Sequence, residues 1–179
     1  MDEHRSRYAM TREPDRPGGT PHQNRRVRSL SGLAVWIALC LATGWAGSLV
    51  TDPRWYERLV QPSWSPPAYV FGPVWTLLYI LMGAAAWLVW KEYGFSKAGG
   101  VLMLFLVHLL LNAGWSYLFF GMRAMGAALA ELIVLWGMIL AIVIGFGRKR
   151  RLAGVLMIPY LAWVAYAGLL NFSLWRLNS

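Results

Sequence analysis

The chain is predicted to fold as an all-α membrane protein, a compact bundle of five transmembrane helices with a short helical lid in the first loop. Three observations predict this. Apolar residues make up 58% of the 179 residues and charged ones only 14%, against about 45–50% and about 25% in soluble domains. Five apolar stretches, 30–50, 66–90, 98–120, 125–146 and 152–174, each approach the roughly 20 residues that cross a bilayer. In lipid every backbone N–H and C=O must find a partner within its own segment, so each stretch should be a helix.

Residues 1–29 precede the first span. They hold seven arginines, four acids and Pro14, Pro17, Gly18, Gly19 and Pro21, with no apolar run. Such a segment cannot bury a core, so a disordered basic tail is expected there, followed by one membrane domain over 30–179. The first span carries small residues at every fourth position, in the rows Ala38, Ala42, Ala46 and Cys40, Gly44, Ser48. Rows of this kind let helix backbones approach closely in lipid.

The connection 51–65 is too apolar for a free linker. Its Trp55, Tyr56, Leu59 and Val60 fall at i, i+1, i+4 and i+5, which suits a short helix lying across the bundle mouth, with Trp64 completing the lid. The second span opens on Trp64-Ser65-Pro66-Pro67. Prolines are expected in its first turn, where a missing N–H costs nothing. Trp64 and Tyr69 suit headgroup level, and Trp75 heads a stripe with Tyr79, Met82 and Gly83 just below the surface.

In the third span His108, Asn112 and Ser116 share a face at i, i+4 and i+8, with Trp115 and Phe119 beside them. The fourth carries Glu131, the only carboxylate inside a span, and a second small-residue row, Gly137, Ala141, Gly145. The fifth places Asn171 with Trp163, Ala167 and Leu170. Short links between spans force antiparallel neighbours.

The net charge of +9 does not point to nucleic acid, because the basic residues collect in the tail and in short inter-span links. Thirteen Lys and Arg fall on the side of the N-terminus and four, Arg54, Arg58, Arg123 and Arg176, on the other. The positive-inside rule then puts the N-terminus in the cytoplasm and the C-terminus outside. A bacterial cytoplasmic membrane is expected; an outer or mitochondrial membrane stays open. Cys40 is the single cysteine, so no intrachain disulfide forms.

Enzyme signatures are missing. Two of the three histidines lie in the tail, which leaves no metal cluster, and neither a phosphate loop nor a nucleophile–base spacing occurs. Polar residues inside spans are costly and mark functional sites or interhelical hydrogen bonds. Both readings stand for His108, Asn112 and Glu131. Aromatic and polar faces on several helices of one small bundle favour a ligand cavity, which is typically apolar with a few placed polar groups.

The ordered motifs carry a resemblance. Trp55-Tyr56, Gln61-Pro62-Ser63-Trp64-Ser65-Pro66-Pro67, Gly72-Pro73-Val74-Trp75-Thr76-Leu77-Leu78-Tyr79, Met82-Gly83 and Trp87-Leu88-Val89-Trp90-Lys91 resemble the TspO/MBR family. That family holds the tryptophan-rich sensory proteins and the mitochondrial translocator protein (peripheral benzodiazepine receptor). Asn112-Ala113-Gly114-Trp115, Phe119-Phe120-Gly121, Pro159-Tyr160-Leu161-Ala162-Trp163, Leu170-Asn171 and Trp175-Arg176 continue the match across 31–178.

The resemblance implies a membrane receptor or sensor, often dimeric, that binds protoporphyrin IX, related tetrapyrroles, lipids and drug-like apolar ligands, with no obligatory cofactor. Family members in bacteria are associated with tetrapyrrole-dependent regulation and stress responses. By matching positions, the ligand would touch Trp45, Ser48, Phe71, Val74, Trp75, Asn112, Trp115, Ala127, Ala130, Val134, Trp163, Ala167 and Leu170, beneath a lid of Trp55, Tyr56, Leu59 and Trp64. Two further functions follow from the resemblance: a light-dependent porphyrin-degrading photo-oxidase using Trp75 and Trp163 as electron donors, and a porphyrin or lipid transporter. Three departures are visible, the first being that no clear small-xxx-small row for dimer packing opens the third span over 98–106. Ala127 stands where animal members carry tryptophan, and Phe172 replaces the tyrosine of a sterol-recognition pattern before Arg176.

Overall fold

A computed structural model describes the backbone from Pro21 to Ser179 and side chains from Leu30 onward. The expected disordered tail falls on residues 1–20, outside the described residues, and on 21–29, whose backbone continues into the first helix. The helices are α1 (Pro21–Ser48), α2 (Pro53–Glu57), α3 (Ala68–Ser116), α4 (Met125–Lys149) and α5 (Arg151–Asn178), with a π-helical turn at Tyr117–Gly121.

Helix α3 is two spans in one. Gly94 breaks it with φ 59° and ψ −175°, a left-handed conformation that glycine adopts without Cβ strain. Residues 33 apart in an unbroken helix lie about 50 Å from each other. Here the Tyr79 hydroxyl donates to Asn112 Oδ1 at 2.6 Å. The two limbs, 68–93 and 95–116, therefore run antiparallel, and the expected five-span bundle forms. The link between these two spans is tight, because the helical hydrogen bonds run almost to Gly94 on both sides.

The proline expectation is corrected in detail. Pro66 and Pro67 lie just outside α3, with Pro67 at its N-cap, and Pro73 is the proline inside the helix. In α2, by contrast, Pro53 occupies the first turn and Asp52 caps it, Oδ1 accepting from Trp55 N at 3.0 Å. A short polar side chain at that position satisfies a donor the five-residue helix could not pair itself.

Helix α1 packs on α3, α4 on α5, and α3 bridges both pairs. Met82, Val89, Leu102, Phe105, Ile139, Ile142, Phe146 and Met157 fill the core. Glycines set the closest approaches. A Cβ on Gly83 would lie 2.7 Å from Ile37 Cα, and one on Gly154 would lie 2.8 Å from Gly147 Cα. Of the two small-residue rows in α1, Cys40 and Gly44 pack inward while Ala38, Ala42 and Ala46 are exposed. Val35, Leu110, Ile133 and Leu169 also point outward, as lipid-facing side chains do when the surroundings are as apolar as they are.

The end opposite the lid is tied by polar contacts. Tyr93 donates to the Lys149 carbonyl at 2.9 Å, Lys149 Nζ to the Lys97 carbonyl at 2.9 Å, and Arg150 pairs with Glu92 at 3.2 Å. The pair is exposed and contributes little by itself, about 0–1 kcal/mol.

Candidate functional site

The lid end of the bundle opens into a cavity of about 590 Å³, within the roughly 300–1,000 Å³ typical of sites for drug-sized ligands. Helix α1 contributes Trp45 and Ser48 to its wall, α3 contributes Phe71, Trp75, Asn112 and Trp115, and α5 contributes Ala167 and Leu170. Those eight expected residues converge from three helices that are distant in sequence. Tyr56 of the lid also faces the cavity.

Trp75 forms an aromatic wall, stacked on Tyr79 with ring centroids 5.5 Å apart and edge-on to Tyr160 at 6.1 Å. Beneath it Asn112 bridges two tyrosines. Its Oδ1 accepts from Tyr79, and its Nδ2 donates to the Tyr160 hydroxyl at 3.0 Å. Both ends of a nearly buried amide are thus satisfied, which fixes the polar atoms at the cavity floor. Asn171 plays the same part at the rim: it accepts from Trp115 Nε1 at 3.2 Å and donates to the Met125 carbonyl at 2.8 Å.

Five expected contacts are not brought to the cavity. Ala127, Ala130 and Val134 lie exposed on the outer face of α4. The inward face of that helix is Ala128, Leu132, Leu135 and Ile139, and a displacement of one residue turns a side chain by about 100°. Val74 is half-buried against the core. Trp163 stands behind Phe71, with ring centroids 5.9 Å apart, and does not line the cavity. Of the polar stripe on the third span, Asn112 and Ser116 reach the cavity and His108 does not. His108 is buried with Nδ1 donating to the Phe105 carbonyl. The Glu131 carboxylate has no hydrogen-bond partner among the described residues and also lies away from the cavity.

The lid is a packed structure. Trp55 meets Phe119 and Phe120 edge-on at 5.6 and 6.1 Å, and Tyr56 meets Phe71 at 6.1 Å. Burial pushes the Tyr56 phenol above its ordinary value of 10.0; a hydrogen bond with Ser65 partly offsets this. Leu59 packs in the same cluster. Trp64 sits on Tyr166 at 5.7 Å, and the Tyr166 hydroxyl donates to the Trp64 carbonyl at 3.2 Å. The far end is held by α5, where Asn178 accepts from Val60 N at 2.9 Å and donates to the Val60 carbonyl at 3.0 Å.

Residue reasoning missed several lining positions. Phe120 reaches the cavity beside Phe119, already noted with the third span's polar face, from the π-helical turn, an irregularity that often occurs at functional sites. Gly44, Gly47 and Gly72 also line it. A Cβ on Gly72 would meet no atom within 4 Å, whereas one on Gly44 would press on Tyr79 and one on Gly47 on Ser116, and no apolar pattern registers that.

A family model described as TspO/MBR family matches residues 36–176. The chain belongs to the TspO/MBR family. Among its relatives, the tryptophan-rich protein TspO of Chlorobaculum tepidum is 42% identical over 153 residues, covering 82% of this chain and 95% of that protein. The translocator protein of Homo sapiens is 45% identical over 127 residues, 70% of this chain and 75% of its own length. The tryptophan-rich sensory protein of Cereibacter sphaeroides is 39% identical over 143 residues, 80% and 89% respectively. The matched region contains every residue lining the cavity. Membership and long apolar helices together make this a multi-pass membrane protein of a sensor and translocator family.

Proposed function

We propose that this TspO/MBR protein is a membrane receptor for protoporphyrin IX and related flat tetrapyrroles, held in the cavity beneath the lid. The observation that carries the reading is the convergence of Trp45, Phe71, Trp75 and Trp115 around a cavity of about 590 Å³ with Asn112 at its floor. Aromatic walls favour flat conjugated rings by stacking, and an uncharged apolar lining takes them out of water. Lipid- and drug-like apolar ligands fit the same chemistry. Binding shifts the protein between states only by differential affinity, and the lid is the element whose packing such a ligand would change.

Light-dependent porphyrin breakdown is the second reading, favoured by Trp75 in the cavity wall. Trp163, which packs on Phe71 and does not line the cavity, is a poorer electron donor to a bound ring. Orientation in a bacterial cytoplasmic membrane is proposed as N-terminus in and C-terminus out; a C-terminal reporter active only in the cytoplasm would overturn it. The function is tested by titrating purified protein with protoporphyrin IX in darkness and then illuminating the same sample. Saturable dark binding without loss of the porphyrin spectrum in light supports the receptor. Product formation in light supports the photo-oxidase, and no saturable binding refutes both.

A further inference from the structure

Among the described residues, the cavity wall holds no Lys, Arg, His, Asp or Glu. An ionised carboxylate drawn fully inside would lose its water and find no counter-charge, which is costly. Any cavity ligand with acidic tails must therefore leave them at the mouth, and on the lid side Arg123 is, among the described residues, a cation already held in an ion pair. The Arg123 guanidinium pairs with Asp52 at 3.5 Å and lies over the Trp55 ring at 5.5 Å. Its backbone is left-handed, φ 54°, the one such non-glycine among the described residues. That conformation is disfavoured by Cβ crowding, and residues held in it concentrate at binding sites. Hydrogen bonds on both sides, Met122 N to the Tyr117 carbonyl and Ala124 N to the Leu118 carbonyl, each at 2.9 Å, hold it there.

Building on the cavity-receptor reading, we infer that Arg123 is the anion-binding residue of this site, taking an ionised carboxylate tail of the ligand in exchange for Asp52. Position supports the exchange. Asp52 stands between Thr51 and Pro53, which both line the cavity, and Trp55 packs on the cavity residues Phe119 and Phe120. Asp52 loses nothing essential by the swap: Oδ1 caps α2 through Trp55 N while Oδ2 holds Arg123. The lid helix keeps its cap when the guanidinium turns to the ligand. Arg123 also remains partly exposed, so the tail reaches it without burying a charge. Arg54, Arg58 and Arg176 lie on the same side of the protein but enter no ion pair among the described residues.

The test compares protoporphyrin IX, a dicarboxylate, with its uncharged dimethyl ester on the full chain in nanodiscs at low salt, in darkness. Wild type should bind the acid more tightly, by about tenfold for a charge-assisted contact. Arg123→Gln should weaken the acid about fivefold or more and leave the ester unchanged; intact ester binding reports an intact fold. Asp52→Asn keeps a good N-cap and removes the competing charge, so it should tighten the acid about threefold and not the ester. Arg58→Gln should preserve the discrimination, and rising salt should erode it in wild type. Equal effects of Arg123→Gln on acid and ester, no effect on either, or the same loss in Arg58→Gln would overturn the assignment. Binding of neither compound by wild type would instead refute the receptor reading, and this assignment with it.

Discussion

Replacing Trp75 by alanine removes the aromatic wall of the cavity. In the folded protein the indole is stacked on Tyr79 and edge-on to Tyr160, with ring centroids at 5.5 and 6.1 Å, and its remaining face borders the cavity. A flat ligand on that face gains one aromatic pair, about 0.5–1.5 kcal/mol beyond area. Covering some 40 Å² of ring adds about 1 kcal/mol at ~25 cal/mol per Å². The loss of about 1.5–2.5 kcal/mol corresponds to roughly a 10- to 70-fold rise in Kd for protoporphyrin IX. Quenching of tryptophan fluorescence at equilibrium, in darkness, reads this directly. Trp75→Phe serves as the companion, because a smaller ring still stacks and should stay within about threefold of wild type. A folded Trp75→Ala protein that binds as tightly as wild type refutes the wall assignment.

Three other outcomes are expected. Replacing Trp55, Tyr56 and Leu59 together with serine removes the lid's packing on Phe119, Phe120 and Phe71; stopped-flow dilution should show porphyrin release about tenfold faster with capture little changed. Gly83→Ala places a Cβ 2.7 Å from Ile37 Cα, and overpacking of about 1–3 kcal/mol should lower Tm by about 2–10 °C in a thermal melt. Because burial raises the Tyr56 phenol above 10.0, lid docking should be constant through neutral pH. The contribution should fall as pH rises from the unfolded-state value through the folded one, and Tyr56→Phe should abolish that alkaline loss in lid proteolysis.

Hydrophobic length made the fold readable, since a stretch near 20 apolar residues in lipid has few structural options. The apolar Trp55 and Tyr56 likewise disclosed the lid, because an apolar face on a surface loop needs something to cover; the expected helical spacing ran too far, since α2 ends at Glu57, Leu59 packs from beyond it and Val60 is exposed. Cavity residues on α1, α3 and α5 were legible where a large or polar side chain stood at a matching motif position, as for Trp45, Trp75 and Asn112. Helical phase was the weak point. Ala127, Ala130 and Val134 are small and apolar, so nothing in their chemistry separates an inward face from a lipid-facing one, and Ala128 turns out to be the buried neighbour. Trp163 was misplaced for a different reason: it packs edge-on to Phe71 and does not itself line the cavity, a contact between residues 92 positions apart that no local pattern encodes. The left-handed Arg123 was invisible because its conformation depends on how the π-helical turn hands the chain to α4.

Gly72 offers the most direct test of the central claim, that flat ligands bind inside the bundle beneath the lid. It lines the cavity, yet a Cβ built on it meets no atom within 4 Å. A side chain there should enter the ligand's space without disturbing the core, and a helical position gains by losing glycine. The measurement is a dark protoporphyrin IX titration of Gly72→Trp beside wild type, with a thermal melt of each. An unchanged or slightly higher Tm is expected, with an affinity at least about tenfold weaker. Wild-type affinity in the folded variant would mean that the porphyrin binds outside the bundle cavity.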